Sequence, residues 1–180
     1  MNKQPKVINL FGSSGSGKST TALGLTYMLR LKGYKAEYVS EYAKDLVAEE
    51  STHKLRHQLY VFAKQLKRVD VLLNKDIDYI ITDSPTLLSY FYGEKFQVNL
   101  DGFKELVVSS FKSTPQINVF LRRTLPFDET LRLQTSEESD NDSEVLERIL
   151  NELNVPYITF LSNNETVSEI IKLLEKKDEN

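Results

Sequence analysis

The sequence has no cysteine, only two histidines, and few prolines and glycines, five and seven among its 180 residues. Each scarcity closes off a class of protein. Without thiols there is no disulfide framework, no thiol nucleophile and no thiolate zinc site, and two histidines make a poor metal set. Any metal is therefore expected to be hard and oxygen-bound. The low glycine and proline content excludes collagen-like and low-complexity chains. No apolar run reaches membrane-spanning length, and the polar stretch 1–6 has no signal-peptide core, so no membrane association and a cytoplasmic address are expected. Excess charge is also missing. With 23 Lys and Arg against 26 Asp and Glu the net charge is −3, which argues against a domain-wide footprint for nucleic acid. What remains, 40% hydrophobic and 27% charged residues, is the composition of an ordinary globular chain. Its length predicts a single domain over 1–180.

Short apolar segments at 6–11, 35–40, 79–83, 117–121 and 155–160 read as strands. Helical patterns lie between them. Over 18–32, Leu23, Tyr27 and Leu31 recur at helical spacing, and Gly33 closes the helix. A short helix is expected over 41–50 and a long one over 52–74, with Leu55, Leu59, Phe62, Leu66, Val69 and Leu73 as its core stripe. Another spans 101–112. The pairs Asn141/Glu144 and Thr166/Glu169 have capping-box spacing and predict two more helix starts. Parallel strand neighbours need crossover connections, so this alternation predicts an α/β fold of three layers, with helices on both faces of a mainly parallel five-stranded sheet. Residues 122–143 are charged, poor in aliphatics and too long for an ordinary connection. They read as a mobile lid.

Gly12-Ser13-Ser14-Gly15-Ser16-Gly17-Lys18-Ser19 satisfies the phosphate-loop pattern G-x-x-x-x-G-K-[ST] and sits between an apolar strand and an amphipathic helix, where that pattern must sit. Glycines let the backbone curl so that successive N–H groups converge on phosphate oxygens, and the helix that follows points its positive end at the same place. Lys18 is expected to reach the β- and γ-phosphates of ATP, and Ser19 to coordinate Mg²⁺. Thr20 either contacts the α-phosphate or caps the helix.

Asp83 ends the third strand, where a carboxylate faces the phosphate loop and suits a Walker-B role, holding Mg²⁺ through water; a turn-initiating Asp before Ser84-Pro85 is the plainer reading. The next residue is Ser84 rather than the Glu of a motor-type ATPase, which weakens a hydrolase reading. Asp83-Ser84-Pro85-Thr86 also lacks the glycine of a GTPase D-x-x-G. Asn74-Lys75-Asp76-Ile77 lacks the final Asp of a guanine-reading motif and comes before Asp83, the wrong order.

The phosphate loop, Glu41-Tyr42-Ala43-Lys44 after the second strand, the strand end Ile80-Ile81-Thr82-Asp83-Ser84-Pro85 and the Arg-bearing segment before Val155-Pro156-Tyr157-Ile158 together resemble the small P-loop kinases of nucleosides and nucleotides. Within them, the chain is most similar to the nicotinamide-riboside-kinase-like branch, which includes compact stand-alone kinases of the phage-type AAA kind. The resemblance covers nearly the whole chain and implies a P-loop NTPase fold and phosphoryl transfer from Mg²⁺-ATP. The chain departs from that branch in carrying Lys44 where an Arg often follows Glu-Tyr. It also reads Leu131-Arg132-Leu133-Gln134 where the lid often has Gly-Arg-x-Gln.

Glu41 emerges at the same sheet edge as Lys18 and Asp83, and is the candidate base or anchor for an acceptor hydroxyl. A helix-N-terminal Glu favoured by the dipole is the plainer reading. Gln58, Phe62 and Gln65 fall near one helical stripe and offer amides and a ring to an acceptor base. Arg122, Arg123 and Arg132 bracket or occupy the lid segment, where guanidinium groups can meet the transferred phosphoryl, with Arg132 the catalytic candidate. The expectation is an ATP- and Mg²⁺-dependent kinase of a small nucleoside, nucleotide or nicotinamide-riboside-like acceptor. An ATP-binding switch or weak ATPase, and a polynucleotide-end kinase, are the alternatives. No motif speaks to oligomeric state.

Overall fold

A computed structural model describes residues 4–98, 100–124 and 135–178. The five apolar segments become strands β1 (Lys6–Phe11), β2 (Ala36–Val39), β3 (Tyr79–Thr82), β4 (Gln116–Arg122) and β5 (Ile158–Leu161). They form one sheet in the order β2-β3-β1-β4-β5, with every pairing parallel. Central β1 is buried along almost its whole length, as a strand covered on both faces must be. Its buried polar side chain, Asn9, is satisfied within the sheet, donating to Asn118 Oδ1 at 2.9 Å and Gln116 Oε1 at 3.2 Å.

The helices are α1 (Lys18–Leu31), α2 (Tyr42–Ala48), α3 (Gln58–Leu73), α4 (Leu88–Lys95), α5 (Phe103–Lys112), α6 (Ser136–Glu152) and α7 (Thr166–Asp178). On one face of the sheet, Leu25 and Leu29 of α1 and Ile170 and Leu174 of α7 pack over Ile8, Leu10 and Ile81. On the other, an aromatic-rich layer from α3 to α6, including Phe62, Phe91, Phe103 and Phe111, packs on Phe11 and Phe120. The expected three-layer α/β architecture is thus the one observed. Among the described residues no helix is long and apolar enough to cross a membrane.

Several local expectations are corrected. Leu23, Tyr27 and Leu31 are exposed, and α1 buries Ala22, Leu25 and Leu29 instead. Both stripes have helical period, and docking of α1 against the sheet and α7 turns Ala22, Leu25 and Leu29 inward. The long helix expected over 52–74 is a 3-10 turn, Thr52–Arg56, followed by α3, with the break at His57. That break turns the buried stripe to Gln58, Val61, Phe62, Gln65 and Val69 and leaves Leu59 exposed. Helix α4 has no one-sided apolar stripe, since its sequence, LSYFYGEK, spreads apolar side chains around the axis. Finally, α6 starts at Ser136 rather than near Asn141. Thr135 caps it by accepting from Glu138 N at 3.2 Å, while a Glu138 carboxylate oxygen accepts from Thr135 N at 2.8 Å. The lid segment expected over 122–143 is therefore helix from Ser136 onward. Residues 125–134, with Arg132, lie outside the described residues.

Candidate active site

Strand order builds the site. Because β3 lies between β1 and β2, the carboxyl ends of these three strands are neighbours, and each leads into a chemically distinct residue. Strand β1 runs into the phosphate loop, β3 into Asp83, and β2 into Ser40 and Glu41.

The loop holds its curl through positive φ at Gly12 (136°), Gly15 (78°) and Gly17 (82°). At Gly12 packing adds to the constraint, since a Cβ there would stand 2.6 Å from Leu121 O. Lys18 arches back over the loop and donates to Gly12 O and Ser13 O, both at 2.7 Å. Ser13 and Ser16 are buried in the loop, and Ser16 Oγ has no partner, while Thr20 is exposed. On the loop's outer side, Ser139 of α6 donates to Ser14 O at 2.7 Å. This docks the start of α6 against the phosphate loop.

Asp83 is the electrostatic centre, its side chain fully buried at the end of β3. Its Oδ2 accepts from Ser19 Oγ at 2.5 Å, Tyr38 OH at 2.9 Å and Lys44 Nζ at 2.9 Å. Its Oδ1 is buried with no partner. An orphaned carboxylate oxygen beside a serine hydroxyl is a hard oxygen donor set, which suits Mg²⁺ held by one carboxylate and completed by phosphate oxygens. Ser19 and Asp83 therefore fit the metal position expected of them. Burial, reinforced by the charge of Asp83, raises the pKa of Tyr38 well above the usual phenol range, so this hydroxyl stays a donor.

Glu41 stands at the mouth of this cluster with 21% of its side chain exposed, 3.7 Å from Lys44 Nζ. Burial raises its carboxyl above the usual value, against the opposing pull of Lys18 and Lys44. Tyr92 of α4 lies close by, and its hydroxyl too is raised, first by burial and then by Glu41 and Asp142. Asp142 is held by Lys95, whose Nζ donates to both carboxylate oxygens at 2.9 and 2.8 Å and ties α4 to α6.

The remaining sequence candidates are placed differently. Gln65 uses both ends of its amide on the backbone around Glu41, accepting from Tyr42 N at 2.8 Å and donating to Ser40 O at 3.2 Å. Arg68, one turn on, reinforces the same link through Ser40 Oγ at 2.7 Å and an ion pair with Asp45. Phe62 is buried in the aromatic layer, edge-on to Phe103. Gln58 donates to Leu55 O at 2.6 Å and leaves Oε1 buried without a partner. Arg122 pairs with Glu147 at 2.5 Å, and Arg123 with Asp140 at 2.5 Å and Ser136 Oγ at 3.1 Å, so both tie the end of β4 to α6. Sequence reasoning misses Lys44, Tyr38, Arg68 and Tyr92 as site residues. Only Lys44 carries a signal, its place in the Glu-Tyr-Ala-Lys run, since the others reach the site by tertiary folding.

Glycine-rich loop, lysine, serine and strand-end aspartate at the edge of a parallel sheet are the features of a P-loop nucleotide-binding fold. The profile of the AAA domain family matches residues 7–166, and the chain belongs to that family. Thymidylate kinase from Ehrlichia chaffeensis is similar in structure, with a TM-score of 0.63 at 16% sequence identity over 96% of this chain and 100% of that one. No curated protein matches the sequence.

Proposed function

We propose that the protein is a kinase that transfers the γ-phosphoryl of ATP, with Mg²⁺, to a small acceptor of nucleoside, nucleotide or nicotinamide-riboside type. The observation that carries this reading is the convergence of Lys18, Ser19, Asp83 and Glu41 at one sheet edge, each from a strand end or the loop beside it. Phosphoryl transfer asks mainly for positioning and charge neutralisation, and the arrangement supplies both. The loop amides cradle the phosphates, and Lys18 leaves its two loop carbonyls for the β/γ oxygens. Ser19 and Asp83 hold the metal, which when bound neutralises charge building on the phosphates. Glu41, with its raised proton affinity, orients the acceptor hydroxyl and takes its proton. The structural likeness to a thymidylate kinase supports the class of reaction. The Glu41-Tyr42 pair supports the nicotinamide-riboside-kinase-like branch within it, from which Lys44 departs. Arg132, outside the described residues, completes the proposal as a transition-state contact.

The test is a screen of nucleosides, nucleoside monophosphates and nicotinamide riboside for acceptor-dependent ADP formation, with products identified by mass and Lys18→Ala as the dead control. ADP formed at one rate whatever the acceptor would favour a switch or weak ATPase. Phosphate appearing only on oligonucleotide ends would favour a polynucleotide kinase.

A further inference from the structure

The ammonium of Lys44 lies on the two residues assigned to the metal. Nζ donates to Ser19 Oγ at 2.5 Å and to Asp83 Oδ2 at 2.9 Å. Asp83 is fully buried, and a buried carboxylate without a counter-charge is strongly unfavourable, so this contact neutralises it. The Lys44 side chain is itself 52% exposed, on a four-carbon stem that can turn toward solvent at little cost. A second carboxylate waits one helical turn back, since Glu41 Oε2 is 3.7 Å from the same nitrogen.

We infer that Lys44 is a built-in counter-ion of the metal position: it holds Ser19 and Asp83 against free divalent cation and yields to the metal that arrives on nucleotide phosphates, moving over to Glu41. A single positive charge balances Asp83 alone, whereas Mg²⁺ on ATP brings two charges and the phosphate oxygens that complete its coordination. The metal position is thereby coupled to nucleotide, because bare cation must displace Lys44 without help from phosphate. The inference rests on Ser19 and Asp83 being the metal position proposed above, and does not require that the protein transfer phosphate.

The test is direct titration of the nucleotide-free full chain with Mn²⁺, read by the electron-paramagnetic-resonance signal of the free ion. Lys44→Met keeps the stem and removes the charge. It should bind Mn²⁺ about ten- to a hundredfold more tightly than the wild type, and Asp83→Asn added to it should abolish the gain. Lys44→Arg, which keeps the charge, should bind as weakly as the wild type, and circular dichroism shows whether each variant is folded. With ATP present the difference between wild type and Lys44→Met should shrink. Equal Mn²⁺ affinity in folded wild type and Lys44→Met without nucleotide would overturn the inference, whatever the kinase assay returns. A tenfold gap in a protein that phosphorylates no acceptor would leave it standing and remove the kinase reading instead.

Discussion

Ser19 Oγ and Asp83 Oδ2, 64 residues apart in the chain, are joined by a 2.5 Å hydrogen bond that ties the first turn of α1 to the end of β3. The bond brings the two expected oxygen donors into one position, with Asp83 Oδ1 buried and unpartnered beside it. Asp83→Asn keeps the shape and the acceptor for Ser19 but loses the charge that favours a divalent ion. Turnover should fall about a hundredfold or more, with saturation shifted to higher Mg²⁺. Rates measured over a Mg²⁺ series check this. A loss of turnover with an unchanged Mg²⁺ dependence would make Asp83 a structural or substrate residue.

Glu41 predicts a pH effect of definite sign. Its folded pKa is raised by burial, so its charged form is disfavoured in the native state. The contribution to stability is therefore greatest below the unfolded carboxylate value of about 4.3 and is lost as pH rises through the folded value. Glu41→Gln should be more stable than the wild type at neutral pH, with the advantage disappearing in acid. The same substitution should remove the acid limb of the turnover profile, since only the ionised carboxylate accepts a proton. Urea unfolding at a series of pH values and a pH–rate profile give the two readouts.

Gln65 holds the backbone on both sides of Glu41 while itself buried. Gln65→Ala leaves Tyr42 N without its acceptor and removes packing under α2. The expected cost is about 1–3 kcal/mol of unfolding free energy, the range for a buried polar group losing its partner. Turnover should fall with little change in ATP affinity, because the displaced residue is Glu41 and not the phosphate loop. Denaturation midpoints and separate kcat and KM values distinguish this from a general loss of fold.

Arg132→Ala tests the proposed transition-state role of Arg132. A group used mainly in the transition state lowers turnover when removed and changes nucleotide affinity little. Turnover is expected to fall about ten- to a thousandfold, with Arg132→Lys recovering part, because a point charge does not reproduce the planar guanidinium fork. Arg122→Ala is the control, since Arg122 is tied to Glu147. Wild-type turnover in Arg132→Ala would remove that role.

Local pattern alone determined the parallel sheet and the phosphate loop. The glycines at 12, 15 and 17 take the positive φ that the loop's curl requires, and five apolar runs separated by helical stretches leave few other ways to bury themselves. Asp83 and Glu41 were legible because strand ends in a parallel sheet share an edge. Tertiary structure decided what period and spacing leave open. Two stripes on α1 have the same helical repeat, and only docking chose Leu25 and Leu29 over Leu23, Tyr27 and Leu31. The amide of Gln65 is equally fit for a ligand or for backbone, and only the approach of α3 to Ser40 and Tyr42 assigned it to backbone. Lys44 stands in plain view one turn after Glu41. That its ammonium rests on Ser19 and Asp83 follows from the three-dimensional meeting of α2, α1 and β3, because electrostatic partners across long sequence separations are selected by distance in space, which no local repeat encodes.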